Sequence, residues 1–274
     1  MSAVVVPAPA KVNLFLHVTG RRADGYHLIE SLFALIDVCD SITLAPRDDG
    51  AVVRGNDVAG VPADGDLAVR AARALQSEAG VTRGVTLMLD KRIPMGAGLG
   101  GGSSDAASVL LALNRMWELD WTRERLCALG RALGADVPFF VAGANAVARG
   151  IGDELTPVTL PTRWLVLTRP QVHVSTRAVF ASPDLTRDTP SAKIDVFSEG
   201  YGRNDLAAVT AAMFPQVADA LRARNARMTG SGACVFTSFA TRRGAEEAMA
   251  ALPWSGETFL ARTLARHPLA SFAR

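Results

Sequence analysis

Apolar residues fall in two rhythms along this chain. In VNLFLHV (12–18), SITLAPR (41–47), VTLMLDKRI (85–93) and WLVLT (164–168), β-branched and apolar residues fill short runs, which predicts strands. Elsewhere the period lengthens to three and four. That spacing predicts helices over 68–80, ending on Gly80, over Ser103 to Leu119, and over Arg123 to Leu133. The Ser103 helix carries Ala106, Val109, Leu110, Leu113, Met116 and Trp117 along one stripe. Further helices are predicted around Leu206–Met213, Gln216–Arg224 and, closing the chain, Arg243–Leu252. Strands and helices mixed in both halves, without internal repeat, predict an α+β architecture, with alternating α/β as its competitor. The Pro-bearing GDELTPVTLPT (152–162) reads as a connector between two domains, 1–155 and 156–274.

Composition narrows the class. With 274 residues, 49% hydrophobic content and a net charge of +2, the chain can bury one large core or two modest ones. Only three of its 29 basic residues are Lys (Lys11, Lys91, Lys193), and the Arg residues are scattered, so nothing argues for a nucleic-acid partner. No apolar run approaches the roughly 20 residues that span a bilayer, and MSAVVVPAPAKVN lacks the basic start of a signal peptide. No membrane partner is expected. Cys39, Cys127 and Cys234 form no CxxC pair and read as free thiols in a reducing, cytoplasmic setting. No feature sets an oligomeric state.

The stretch PMGAGLGGGSSDAA (94–107) carries the chemistry. Five of the seven residues from Gly96 to Gly102 are glycine, each costing about 0.5–1 kcal/mol relative to Ala when ordered. The loop lies between a strand and a helix opened by Ser103-Ser104-Asp105. A helix N-terminus offers unpartnered N–H groups and about half a positive charge, and bare glycines let a polyphosphate reach them. A plain N-cap by Ser103 or Ser104 would need only one or two such residues. Gly96, Gly98 and Gly101 fit GxGxxG, yet Asp120, spaced as a ribose-binding acid, ends a helix instead of a strand, which weakens a dinucleotide fold. No Lys follows the glycines as a Walker A loop requires, and HRD and DFG are missing. His17, His27, His173 and His267 show no metal-ligand spacing.

The stretch 94–107 resembles the phosphate-binding motif of the GHMP kinases, and TGSGACVF (229–236) resembles that family's C-terminal glycine motif. PAPAKVNLFLHVTGRRADGYHLIES (7–31) and LGADVPFFVAG (133–143) resemble the branch whose small-molecule substrate carries a cytidine diphosphate group. The resemblance implies a two-domain α+β kinase with its site in the cleft between domains, transferring phosphate from ATP to an alcohol. It assigns ATP to Pro94, Met95, Gly96, Ala97, Gly98, Leu99, Gly100, Gly101, Gly102, Ser103 and Ser104. Lys11 and Asp136 become the catalytic pair, Asp136 as general base and Lys11 stabilising the developing alkoxide. Strand alternation puts Lys11, Asn13 and Phe15 on one face and Val12, Leu14 and Leu16 on the other, core-facing one. Tyr26, in a loop-to-helix passage, and Phe180 are expected to sandwich a cytosine whose edge His27 bonds, with Asn13 and Thr176 nearby. Magnesium is implied on phosphate oxygens, with Ser104 or Asp105 touching it but neither fixed as ligand. Lys91 and Arg92 precede the loop as solvated strand-end charges or phosphate contacts, and Asp66 stands where the family often has an adenine-binding Asn. A GHMP kinase for another small alcohol, a non-catalytic nucleotide-binding sensor and a dinucleotide-binding oxidoreductase are the other readings.

Overall fold

The computed structural model describes residues 2–191, 201–251 and 256–274. Two long strands, β1 (Val4–Arg21) and β2 (His27–Arg47), form an antiparallel hairpin whose register runs from Val4–Leu44 to Arg21–His27. There follow β3 (Val52–Arg54), α1 (Leu67–Ala79), β4 (Gly84–Asp90), α2 (Gly101–Met116), α3 (Arg123–Arg131), α4 (Val137–Ala142), β5 (Ala146–Arg149) and β6 (Glu154–Pro157). The first sheet has the order β3-β4-β2-β5-β6, with β1 also paired to β2. After it come β7 (Trp164–Arg169), α5 (Thr176–Ala181), α6 (Leu206–Met213), α7 (Pro215–Arg224), β8 (Arg227–Met228), β9 (Val235–Phe239), α8 (Arg242–Ala250) and β10 (Glu257–Arg262). The second sheet is β10-β7-β9-β8, all antiparallel. Antiparallel pairing through both sheets, broken only by β3 beside β4, removes the alternating α/β competitor and with it the dinucleotide fold. Leu252, the expected end of the last helix, lies outside the described residues, and β10 follows that helix.

Of the four apolar clusters among the described residues, three organise the fold. The first joins the face of the first sheet, through Phe33, Leu35, Ile42 and Leu87, to Leu75 of α1, Leu110 of α2 and Phe139 and Phe140 of α4. The second fills the space between sheets, with Val12, Ala34, Ile36, Ala97 and Leu99 against Leu165, Leu167 and Phe236. The third packs α5, α6 and α7 on Leu16, Val18, Met228 and Val235. The expected boundary at 155 falls within β6, which pairs with β5, so the chain leaves the first sheet only after Pro157. Beyond β10 it returns to the first cluster: Leu269 is buried there and Arg123 donates to the carbonyls of Ala270 and Ala273.

Two local corrections matter for the site. Alternation along β1 does not survive past Asn13, because a register shift places Asn13 opposite Phe33 but Phe15 opposite Leu32. Phe15 thereby leaves the face of Lys11 and packs with Leu32 and Val147. Both faces of β1 are buried here, so the Lys11 face is not the solvent side. The second correction concerns α2, which starts at Gly101 with Gly100 as its N-cap, so Ser103 and Ser104 sit inside the first turn and cap nothing. It stops at Met116 because Glu118 and Asp120 adopt positive φ (59° and 52°).

Candidate active site

Alternate residues of the glycine loop have opposite duties. Ala97 and Leu99 are buried in the cluster between the sheets, anchoring the loop by its side chains. Gly98, at φ 74°, lies against the turn 229–232: a Cβ on it would overlap the Thr229 carbonyl, while Thr229 Oγ1 donates to the Gly98 carbonyl at 3.2 Å. Part of the glycine content is thus required by packing between the two glycine motifs, and only part by a ligand. The first bond into α2 is Ser104 N–H to the Gly100 carbonyl, 2.9 Å. The N–H groups of Gly101, Gly102 and Ser103 therefore have no partner within the helix.

Two cavities meet at this loop. The smaller, about 370 Å³, is lined by Pro94, Met95, Gly96, Ala97, Gly98, Leu99, Gly100, Gly101, Gly102 and Ser103, with Val58, Asp66 and Leu67 on its far side. The larger, about 920 Å³, brings together Lys11, Asn13, Tyr26, His27, Asp136, Thr176 and Phe180. Gly98, Gly100 and Ser103 belong to both walls. Ser104 reaches neither: it is fully buried, and its hydroxyl donates to the Pro9 carbonyl at 2.6 Å, tying α2 to β1.

Lys11 reaches from β1 into the larger cavity. Its Nζ donates to Asn13 Oδ1 at 2.6 Å, stands 3.5 Å from Asp136 Oδ2 and lies 4.7 Å from the Phe33 ring centre. Its N–H donates to the Leu99 carbonyl at 3.0 Å, tying the strand to the loop. Asp136 occupies the N-cap position of α4, yet its side chain makes no capping bond. That leaves a part-exposed carboxylate facing the cavity. Asn13 is spent internally: Oδ1 also accepts from Gly230 N at 3.0 Å, and Nδ2 donates to Ser31 Oγ at 2.8 Å. It orients Lys11 and joins β1 to the C-terminal glycine turn.

The far end of the larger cavity is open to solvent at Tyr26. Tyr26 lies in the hairpin turn between β1 and β2, not in a loop-to-helix passage, and is 62% exposed. Its N–H donates to Asp24 Oδ1 at 3.2 Å. Phe180 stacks on His27, ring centres 5.0 Å apart at 34°, and not on Tyr26. Thr176 Oγ1 is 2.7 Å from Ser231 Oγ. Arg187, which no sequence pattern marked, donates from Nε to His27 Nε2 at 3.1 Å. Burial lowers the His27 pKa below its ordinary value, and Arg187 and Arg21 add to that.

Charges near the smaller cavity are committed to the frame. Lys91 is no solvated strand end: it bridges Asp40 and Asp105, the latter at 2.5 Å. Asp40 also accepts from the N–H groups of Arg92 and Ile93, fixing the entry to the loop. Burial pushes the Asp105 carboxyl up to about 7, with Lys91 opposing and Asp40 adding to the rise. Arg92 pairs with Asp90 on the surface. Asp66 caps α1 by accepting from Ala68 N at 2.9 Å and pairs with Arg54 at 3.1 Å, a double use that an Asn would serve only in part. Among the described residues no three His, Cys, Asp or Glu gather to hold a metal, and no helix is long and apolar enough to cross a membrane.

An antiparallel α+β fold with a glycine loop opening α2 is the framework of the GHMP kinases, ATP-dependent phosphotransferases acting on an alcohol, and the model of the GHMP kinases N terminal domain matches residues 66–144. The chain is 56% identical to the 4-diphosphocytidyl-2-C-methyl-D-erythritol kinase of Thiobacillus denitrificans, over 97% of both chains. It is 53% identical to the enzyme of that name from Cupriavidus taiwanensis, over 97% of this chain and 95% of that one. It belongs to the 4-diphosphocytidyl-2-C-methyl-D-erythritol kinase family. A crystal structure of 4-(cytidine 5'-diphospho)-2C-methyl-D-erythritol kinase superposes with a TM-score of 0.80 at 37% identity, over 95% of this chain and 99% of that one. A mevalonate kinase structure, at 13% identity and a TM-score of 0.70, shares the fold.

Proposed function

We propose that this chain transfers the γ-phosphoryl group of ATP to the tertiary 2-hydroxyl of 4-diphosphocytidyl-2-C-methyl-D-erythritol, a step of isoprenoid biosynthesis, releasing ADP and the 2-phosphate. The observation that carries the reading is that Lys11 and Asp136 line the larger cavity together with Gly98, Gly100 and Ser103, which line both cavities: nucleotide phosphates on the loop side and an alcohol on the other would converge on this pair. Asp136 takes the hydroxyl proton as the new O–P bond forms and the bond from the γ-phosphorus to the bridging oxygen breaks. Lys11 offsets the charge that develops on the attacking oxygen. The free N–H groups of Gly101, Gly102 and Ser103, at the positive end of α2, face the charge spread over the phosphoryl oxygens. Tyr26 and Phe180 offer flat faces, and His27 an edge, to the cytosine, with Asn13 and Thr176 beside them.

Magnesium, when bound, neutralises charge on the phosphates. The residues here form no dedicated cage, since Ser104 is bonded to Pro9 and Asp105 to Lys91, so the ion would ride on phosphate oxygens. Three free thiols suit a cytoplasmic setting. The test is ADP release, measured by a coupled assay across a panel of alcohols with and without the cytidine diphosphate group. Turnover confined to the cytidyl substrate is the expected outcome; equal turnover of homoserine or mevalonate would overturn the reading.

A further inference from the structure

The guanidinium of Arg187 is unusually committed for a residue in a connecting loop. Nη1 donates to the Leu185 carbonyl at 2.9 Å, and Nη2 to the carbonyls of Phe180 and Ser182 at 3.1 and 2.6 Å. With three donors fixed on backbone, Nε is aimed at His27 Nε2, 3.1 Å away. A guanidinium has five N–H donors and no acceptor, so the imidazole nitrogen it meets must offer a lone pair. A neutral imidazole with Nε2 as acceptor carries its proton on Nδ1.

We propose that Arg187 is the positioning residue of the pyrimidine end of the site: it holds His27 as the Nδ1–H tautomer, so that the imidazole presents a donor, and no acceptor, to the larger cavity. The proposal rests on the reading of that cavity as the cytidyl site. The same residue fixes the ring that covers the imidazole, because the Phe180 ring stacked on His27 belongs to the residue whose carbonyl Arg187 holds. A single cation therefore sets the tautomer and orientation of His27 and the seat of Phe180. The other charges close by fit the same state. Arg21 also disfavours a charged imidazole, and Asp24, on the adjoining turn, is paired with Arg22 at 2.7 Å. The consequence is base selection. Cytosine offers acceptors at N3 and O2, whereas uracil carries N–H at N3, where a donor would meet a donor.

Two measurements on the full chain test this. Nitrogen-15 NMR of the wild-type histidines should show His27 protonated on Nδ1, and an Nε2–H tautomer would overturn the proposal whatever any variant does. Arg187→Met should raise KM for the cytidyl substrate about tenfold, the scale of one well-placed hydrogen bond, while kcat and KM for ATP stay within about twofold. It should also reduce discrimination against the uridine analogue, because His27 released from Arg187 can turn an acceptor to the cavity. Arg187→Lys, which keeps the charge but not the fork, should not rescue. A folded Arg187→Met protein with unchanged KM and base preference would overturn the proposal, and should that variant not fold, the wild-type tautomer decides alone. If the Nδ1–H tautomer holds but Tyr26→Ala and Phe180→Ala leave the cytidyl KM untouched, the assignment of the cavity has failed and the role of Arg187 at His27 has not.

Discussion

The two ends of the larger cavity are built on opposite plans. At one end Lys11 is buried, with Asn13, Asp136, Phe33 and the loop carbonyl of Leu99 around it. At the other, Tyr26 stands mostly in solvent on a hairpin turn. The difference follows from what each end has to do. Groups that act on reacting atoms lose large factors if misplaced by about 1 Å, so their positions are fixed before substrate arrives. Stacking on the faces of a base tolerates some freedom, and only its edge, met by His27 on Arg187, calls for a fixed partner. The Lys11 end is closed by burial, and the other end is open at Tyr26.

The largest effect should come from the frame at the entry to the glycine loop on which Lys11 rests. Asp40→Ala removes the acceptor for two backbone N–H groups and one of the two carboxylates on Lys91. Breaking a buried charge pair costs about 3–5 kcal/mol, read as a fall in the unfolding free energy by urea titration. A loss below about 1 kcal/mol would show the loop entry to be less constrained than the comparison holds. Next comes the pair itself. Lys11→Met and Asp136→Asn should each lower kcat by about a hundredfold or more, and the double variant by less than the product, as for residues acting as a unit. Fully multiplicative losses would separate their roles.

At the open end the effects should be smaller and confined to one substrate. Stacking on an aromatic ring is worth about 1–3 kcal/mol per base, so Tyr26→Ala should raise KM for the cytidyl substrate roughly tenfold and leave that for ATP alone. Phe180→Ala should exceed it, because that ring also seats His27. Steady-state Michaelis constants for both substrates provide the check, and a loss on the ATP side would reverse the orientation of the cleft.

Sequence pattern revealed much of this and stopped at identifiable places. The Leu206–Met213 helix stands at the limits expected for it, and α1 lies within a residue of expectation because that segment follows a single period and ends on Gly80. It missed the shift between Asn13 and Phe15, since a bulge resets alternation without changing composition. The glycine loop stood out because so many costly residues demand a reason. Yet Ser104, inside that same motif, turned out to serve Pro9. Lys91 looked like a surface charge because its partners, Asp40 and Asp105, are distant in sequence. Arg187 was illegible for the same reason: its partner His27 is 160 positions away, and nothing in LTRD announces it.

The smallest effect gives the sharpest test of how the loop divides its glycines between fold and ligand. Gly101 is a poor probe, because a Cβ there would press on Ile93 at 3.1 Å, and a lost function could be lost packing. At Gly102 the backbone is helical and a Cβ would meet only Leu67 Cδ1 at 3.6 Å, an ordinary contact. The fold does not require glycine at this position. Gly102→Ala should therefore stabilise the protein, by up to about 0.5–1 kcal/mol from helix propensity, while a methyl group at the phosphate approach weakens ATP binding several-fold. The two readouts move in opposite directions, which no general loosening of the structure can produce. Thermal unfolding and ATP titration on the same sample are sufficient. If stability rises and ATP affinity does not change, Gly102 does not face the phosphates, and the N-terminus of α2 loses its part in the nucleotide site.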